Sequence, residues 1–384
     1  LSKNFLPSQY ENDKKFSVQH NYLAEQFSDK DLILEKIREV VTQGDFTLGR
    51  EVDKLEEAFA QLVGAKHAIG VGSGTDAIFL SLRALDLQPG DEVITTSFTF
   101  YATIGAIVTA GGKPVFCDIE DDFNISIAGL KKLITEKTKA IVPVHWSGRP
   151  CEMDEMIEIS EEFGIPIIED ACHSILAEYH GKKTGTFGIT GCFSFHPLKN
   201  LNVWGDGGII TTNSDEMNTK IRLLRNHGLT DRDHCEIFGY NSRLDTIQAV
   251  VANHLLGKID AITNARIEHA NYLDKGLNDV PGISIPERVN SLKEVFHIYS
   301  FMAENRDALA QFLRDNGIDA KIHYPIPMHL QPAALYLNYK KGDFPNAENA
   351  ANRTLSLPVH EFVKPKDLDF MISKVKEFYD HGQH

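Results

Sequence analysis

An α/β fold, with a mostly parallel sheet between helices and a smaller C-terminal α+β domain after it, is what this sequence predicts. Three observations lead there. Between residues 65 and 212, short β-branched runs alternate with helix-like segments. Several of those runs are apolar throughout, as strands covered on both faces require. At 384 residues the chain also exceeds what a single core usually serves, so one large domain with a smaller companion is the expected organisation.

In chain order, residues 33–41 and 52–63 read as amphipathic helices joined through Gly44 and a turn near Gly49, packed outside the sheet. Seven candidate strands follow at 67–71, 92–95, 114–117, 139–145, 166–170, 192–195 and 208–212. Helices at 76–85, 101–110 and 153–163 lie between them, which makes the region an α/β unit. Long periodic segments at 244–259 and 265–277 bridge into the second body. That body is expected to hold strands near 296–302 and 320–324 and helices at 306–316 and 365–379. The predicted division is a large domain over 1–260 and a small one over 261–384. There is no internal repeat or low-complexity tract.

Composition narrows the function. Apolar residues make up 42% and charged residues 24%, with no apolar run long enough to span a bilayer, so a soluble chain is expected. A formal charge of −15 argues against a general nucleic-acid binder, which needs a basic face to displace counterions from phosphates. Cys117, Cys151, Cys172, Cys192 and Cys235 are scattered and form no C-x-x-C pair, so neither a disulfide framework nor a zinc site is suggested. That usage fits the reducing cytoplasm. Residues 1–13 are polar and lack the charged-then-apolar order of a secretion signal.

Ligands of an open α/β sheet bind beyond the carboxyl ends of its strands, and four segments put polar residues there. The first is Gly72-Ser73-Gly74-Thr75, which follows an apolar strand and opens a helix. Free N–H groups and the helix terminus suit a phosphate, with the Thr75 hydroxyl as a further donor. An ordinary strand-to-helix turn with an N-cap accounts for the same residues and is the better reading of this segment alone. A dinucleotide fingerprint fails, because Thr75 stands where the third spaced glycine belongs.

The second segment, Ile167-Ile168-Glu169-Asp170-Ala171-Cys172-His173, is a buried strand ending in acids. Asp170 is the candidate partner for a protonated pyridine nitrogen, the arrangement that makes such a ring an electron sink; a helix N-cap is the plain alternative. The third, Ser194-Phe195-His196-Pro197-Leu198-Lys199-Asn200, places a lysine in a loop after a strand, where its amine can be desolvated and made nucleophilic. A lone lysine is usually a surface residue, but Lys199 has the Ser194 hydroxyl, the Gly205–Gly208 glycines and an acid at another strand end for company. The fourth is Thr99-Phe100-Tyr101-Ala102-Thr103, where Phe100 either stacks on a flat ring or packs in the core.

In this order and spacing the segments resemble fold-type I pyridoxal-phosphate (PLP) enzymes, and within them the DegT/DnrJ/StrS-type sugar aminotransferases. The resemblance runs from TLGREVDKLEEAFA through VGSGTDAI, TSFTFYAT, VHWSG, IIEDACHS and SFHPLKNLNVWGDGG to LRNHG, GYNSRLDTIQAV, IHYPIPMHLQPA and LSLPVHEF. It implies a seven-stranded sheet and Lys199 as the Schiff-base lysine that later shuttles a proton. It further implies Asp170 at the pyridine nitrogen, His173 near the ring, Phe100 over its face, and Gly74, Thr75 and Ser194 at the phosphate. Asn241 would reach the phosphate in a neighbouring subunit, so the resemblance implies a homodimer with shared sites. The sugar would lie near His323, Tyr324, His329 and Lys321, although structural histidines in a proline-stiffened loop account for the two histidines equally well. No metal site is expected, since His323 and His329 have no evident third ligand.

The activity so implied is transfer of an amino group from an amino-acid donor, glutamate in the usual family pattern, to a keto sugar that is usually nucleotide-linked. It would serve surface-polysaccharide or amino-sugar biosynthesis, with the pyridoxamine-phosphate (PMP) form as the half-reaction state. His196 and the run Leu201-Asn202-Val203-Trp204 depart from the family pattern, as does Trp146-Ser147 within His145-Trp146-Ser147-Gly148, and these departures bear on which sugar is used. A PMP-dependent sugar dehydratase on the same fold is the main enzymatic rival, but such relatives have a histidine where Lys199 stands. A non-catalytic cofactor-binding regulator is the rival from another class, and a nicotinamide oxidoreductase is weaker than either.

Overall fold

The computed structural model describes residues 16–380; the expectation about a leader at 1–13 lies outside them. Its centre is a mixed sheet of seven strands: β1 (His67–Val71), β2 (Glu92–Thr96), β3 (Lys113–Cys117), β4 (Thr138–Val142), β5 (Ile168–Asp170), β6 (Thr190–Ser194) and β7 (Gly208–Thr212). Their spatial order is β3-β2-β4-β5-β6-β7-β1. Only β7 runs antiparallel to its neighbours, and two parallel bridges, Ile141 to Ile167 and Val144 to Asp170, join β4 to β5. The run expected at 139–145 stops as a strand at Val142, because Pro143 has no N–H for a ladder; its carbonyl still accepts from Asp170 N at 2.9 Å.

Period-two alternation divides the strands between two helical layers. Cys192 and Ile210 face a cluster with Ile78, Leu82 and Ile221, from the helices Gly74–Arg83 and Asp215–Arg225. Phe193 and Ile209 face the opposite cluster with Leu55, Phe59 and Val250, from the helices Arg50–Val63 and Thr246–Leu256. A separate core joins Leu273, Leu309, Met371 and Phe378 to a small antiparallel sheet of Ile283–Ser284, Tyr299–Ala303 and Thr354–Leu357. The helix Ile259–Leu277 runs between the two, with Ile259 in one core and Leu273 in the other.

Some elements differ from expectation. Residues 320–324 form no strand: one bridge pairs Lys321 with Ser356, then Tyr324 turns to φ +54° before Pro325. Pairing cannot continue through a left-handed residue followed by proline. The helices Asp215–Arg225 and Pro345–Arg353 and the strand Thr354–Leu357 come in addition to the expected elements. Their starts are legible in retrospect, since the Ser214 side chain accepts from Met217 N and Pro345 occupies the first turn.

β1 lies at a sheet edge, and three of its outward backbone groups bond charged side chains. Glu56 Oε1 accepts from Gly70 N at 2.8 Å, Arg225 donates to Gly70 O at 2.7 Å, and Arg222 donates to Ala68 O at 3.1 Å. Glu56 also pairs with both arginines. These contacts cap the edge and fix the strand that leads into Gly72-Ser73-Gly74. Glu56→Ala leaves the buried Arg225 without its carboxylate, and a loss of about 3–5 kcal/mol in urea unfolding is expected.

Candidate active site

Three strands end side by side where the site lies. Ser194 of β6 pairs with Gly208 of β7, and Gly208 pairs with Val71 of β1, so the chain leaving Val71 passes beside Ser194. The approach is close enough to dictate residue type. A Cβ on Gly208 would stand 2.4 Å from Ser73 O, and one on Gly74 would stand 2.6 Å from Ser194 Cβ and 3.0 Å from Cys172 Sγ. Ser73 caps the helix Gly74–Arg83 by accepting from Asp76 N at 3.0 Å. The N–H groups of Gly74 and Thr75 have no acceptor among the described residues. Two free donors at a helix start, next to the Ser194 hydroxyl, suit an anion.

β5 ends in two carboxylates on opposite faces, and their partners separate their roles. Glu169, fully buried, accepts from Gly185 N, Phe187 N and Gly188 N at 2.6–2.8 Å and shares a hydrogen bond with His145. It is consumed in holding the 185–188 turn. Asp170 accepts from the Thr103 hydroxyl at 2.8 Å and from Cys172 N at 3.2 Å. Thr103 in turn hydrogen-bonds Thr99 at 2.9 Å, so the helix Tyr101–Thr109 supports the acid from one side.

Lys199 follows β6 on a turn closed by its N–H donating to His196 O at 2.8 Å. It is half-buried and lines a small cavity with Cys172, His173, Ser194 and His297. Burial lowers its ammonium pKa, with Cys172 and Asp170 opposing the shift. The neutral, nucleophilic form is thus easier to reach here than at an exposed lysine. Around it stand histidines held neutral: burial first, then the Lys199 charge, put His173 and His297 well below the usual imidazole range. Their rings lie 4.5 Å apart, and His173 Nδ1 accepts from Ser147 N at 3.3 Å. Among the described residues His297 Nδ1 has no partner.

The other sequence candidates divide. Tyr324 approaches Phe98, Trp146 and Phe100 at 5.7–6.3 Å, and the nearby Asp170 and Cys172 add to the burial that raises its phenol pKa. His323 feels the Lys199 charge, and its Nδ1 lies 2.9 Å from Ser356 Oγ. Phe100 is half-exposed beside Tyr101, and Asn241 is exposed. Lys321 is paired with Asp319 at 2.7 Å. His329 is buried, its Nε2 3.0 Å from Glu348 Oε1 and its ring against Phe344, which is the structural arrangement weighed for it from sequence. Thr103, Cys172 and His297 are site residues that sequence reasoning did not assign. Thr103, one helical turn from Thr99 within a segment already singled out, was within reach of the i, i+4 rule.

The set fits a small, flat, phosphate-bearing aldehyde. Gly74, Thr75 and Ser194 present donors, a Cβ would fill the space at Gly74, and an acid and a desolvated amine lie at neighbouring strand ends.

Comparison with known proteins agrees with that chemistry. The model of the DegT/DnrJ/EryC1/StrS aminotransferase family matches residues 28–376. A pleiotropic regulatory protein of Geobacillus stearothermophilus is 43% identical over 94% of this chain and 98% of its own. The UDP-N-acetyl-3-dehydro-α-D-glucosamine 3-aminotransferase of Acidithiobacillus ferrooxidans is 40% identical over 86% and 89%. The crystal structure of DesV from S. venezuelae, in complex with a ketimine intermediate, superposes with a TM-score of 0.92 at 35% identity, covering 94% of this chain and 98% of that one.

Gly74→Ala should push Ser194 and Cys172 aside and weaken retention of pyridoxal phosphate by about tenfold or more, read by dialysis and absorbance. A pH effect follows from His323, pushed from 6.5 to about 4 by burial, the Lys199 charge and Lys321. The unfolded chain binds that proton and the folded chain does not. Stability therefore falls as pH drops from about 6.5 toward about 4, and His323→Gln should flatten part of this slope in thermal melts.

Proposed function

This chain belongs to the DegT/DnrJ/EryC1/StrS aminotransferase family, and from that premise we propose that it moves an amino group from glutamate to a nucleotide-linked keto sugar, with Lys199 as the Schiff-base lysine. It is an aminotransferase, and the family implies dependence on pyridoxal phosphate. The observation that carries the assignment is the desolvated Lys199 amine in one cavity with Ser194 and Cys172, beside Asp170.

When bound, pyridoxal phosphate supplies an electron-withdrawing ring that stabilises negative charge at the carbon losing its proton. Gly74 N–H, Thr75 and Ser194 would hold its phosphate. Asp170, buried and steadied by Thr103, would keep a proton on the ring nitrogen. Phe100 would cover one face of the ring, and His173 would lie beside it. Lys199, once released by the incoming amine, would take a proton from the donor's α-carbon and later return one to the sugar carbon. The same residues serve both half-reactions, so ping-pong kinetics are expected, with the pyridoxamine form between them.

His323 and Tyr324 would meet the sugar, with Lys321 contributing charge from its pair with Asp319. A keto sugar carried on a nucleotide is the acceptor class supported by the UDP-sugar aminotransferase relative. Asn241, exposed at the end of the 226–241 loop, would reach a second subunit's phosphate and make the working unit a homodimer. The same reading divides the chain into a cofactor-binding part, 1–260, and a smaller part, 261–384. One relative bears the name of a regulatory protein; the intact set of Lys199, Asp170 and Ser194 favours turnover here, and the lysine disfavours a dehydratase.

Purified protein should absorb near the visible edge, and borohydride should abolish that band and leave the label on Lys199. Lys199→Ala should still bind the cofactor and lose at least about 10³-fold in transamination. Incubating the pyridoxamine form with a panel of nucleotide-linked keto sugars should restore the aldehyde spectrum with one class. Label on a different lysine, or full activity in Lys199→Ala, rejects the assignment.

A further inference from the structure

The turn that carries Lys199 is gripped by a ring of mostly buried polar contacts, five hydrogen bonds and one ion pair, that begins and ends on its own carbonyl. Asn202 Nδ2 donates to Lys199 O at 3.0 Å and to Gln26 Oε1 at 2.7 Å. Gln26 Nε2 donates to Glu361 Oε1 at 3.4 Å, and Glu361 Oε2 lies 3.6 Å from Arg266 Nη2. Arg266 Nη2 donates to the Tyr22 hydroxyl at 2.7 Å, and that hydroxyl donates to Lys199 O at 3.4 Å. Tyr22, Gln26, Asn202 and Arg266 are each no more than 5% exposed.

The members converge from four separate stretches: the short first helix Leu23–Gln26 with its N-cap Tyr22, the lysine turn, the helix Ile259–Leu277 and the loop after Thr354–Leu357. The chain leading into the first stretch is itself tied down, because Ser17 N and Val18 N donate to Gly317 O at 2.8 and 3.1 Å and His20 N donates to Asp319 Oδ2 at 3.2 Å. The Tyr22 ring stacks on His360 at 4.6 Å and lies 5.1 Å from the Arg266 guanidinium carbon. Burial pushes its phenol up to about 12, so it keeps the proton it donates. Arg266 Nη1 also donates to Phe296 O and His297 O at 3.2 and 3.4 Å, the latter residue being part of the lysine cavity. For stability alone, apolar packing serves as well as a buried charged network. What such a network adds is a fixed position for the groups it touches.

We propose that Tyr22, Gln26, Asn202, Arg266 and Glu361 are positioning residues that hold the main chain at Lys199, with residues 17–26 as a strap from the 317–319 segment across to the lysine turn. The inference rests on the reading of Lys199 as the cofactor lysine. The strap makes the amine's aim depend on a part of the chain far from it in sequence.

Tyr22→Phe keeps the ring on His360 and removes only the hydroxyl, and Gln26→Met opens the circuit at a different link. In the holoenzyme each should move the pH midpoint of the near-visible band by about one unit. Each should also lower kcat about tenfold while leaving the acceptor KM within about twofold. The double variant should cost less than the product of the singles, because one circuit is broken once. Borohydride labelling of the unaltered protein separates the two claims: label on a lysine other than Lys199 removes the premise and this proposal with it. Label on Lys199, with both variants titrating and turning over as the unaltered protein does, overturns the positioning role alone.

Discussion

Parallel pairing of β5 with β6 is the constraint on which the site depends. It sets Glu169 opposite Gly191 and Asp170 opposite Cys192, so the acid ends its strand two residues short of Ser194 on the neighbouring one. A slip of one residue would exchange the faces of the two acids. Glu169 would then point toward the lysine side, and Asp170 toward the 185–188 turn. The register is protected from both sides: Glu169 is saturated by three backbone N–H groups and His145, and Asp170 is held by Thr103 and Cys172 N with acceptor capacity left over. The small residues around it serve the same end. Gly191 has no room for a side chain, since a Cβ there would stand 2.3 Å from Gly185 Cα.

Burial then sets the chemistry. The same desolvation that lowers the Lys199 pKa also keeps His173, His297 and His323 uncharged, so the site does not fill with competing cations. Asp170 lies close enough to oppose part of the shift on the lysine. A chain with a formal charge of −15 thus contains a local pocket whose donors and amine suit one small anion and one carbonyl. Net charge governs encounters with large polyanions, while the pocket is governed by the few groups that line it.

Buried polar contacts carry the architecture outward from the site. At the sheet edge Glu56, Arg222 and Arg225 hold β1, and so hold the Gly72-Ser73-Gly74 turn. Behind the lysine, Tyr22 reaches the Lys199 carbonyl and Arg266 holds the Tyr22 hydroxyl. Each contact ties a backbone position that apolar packing alone would leave freer to shift.

Much of this was legible in the sequence. Apolar runs of five residues gave the strands, because strands covered on both faces must be apolar throughout, and Gly74, Asp170 and Lys199 lie at or just beyond strand ends, as their neighbours in sequence suggested. Lys199, set apart in sequence by its neighbours, is half-buried at a cavity. The sequence did not reveal that Glu169 is spent on the 185–188 turn, that His329 is committed to Glu348, or that Tyr22 reaches Lys199 across 177 positions. Nor did it foretell that residues 320–324 would turn away at Tyr324 instead of pairing. Residue type and spacing determined what each segment is able to do, since those are properties of neighbours along the chain. Which partners each polar group keeps was decided only in three dimensions, because burial and hydrogen bonding are set by atoms that packing brings together from distant parts of the sequence.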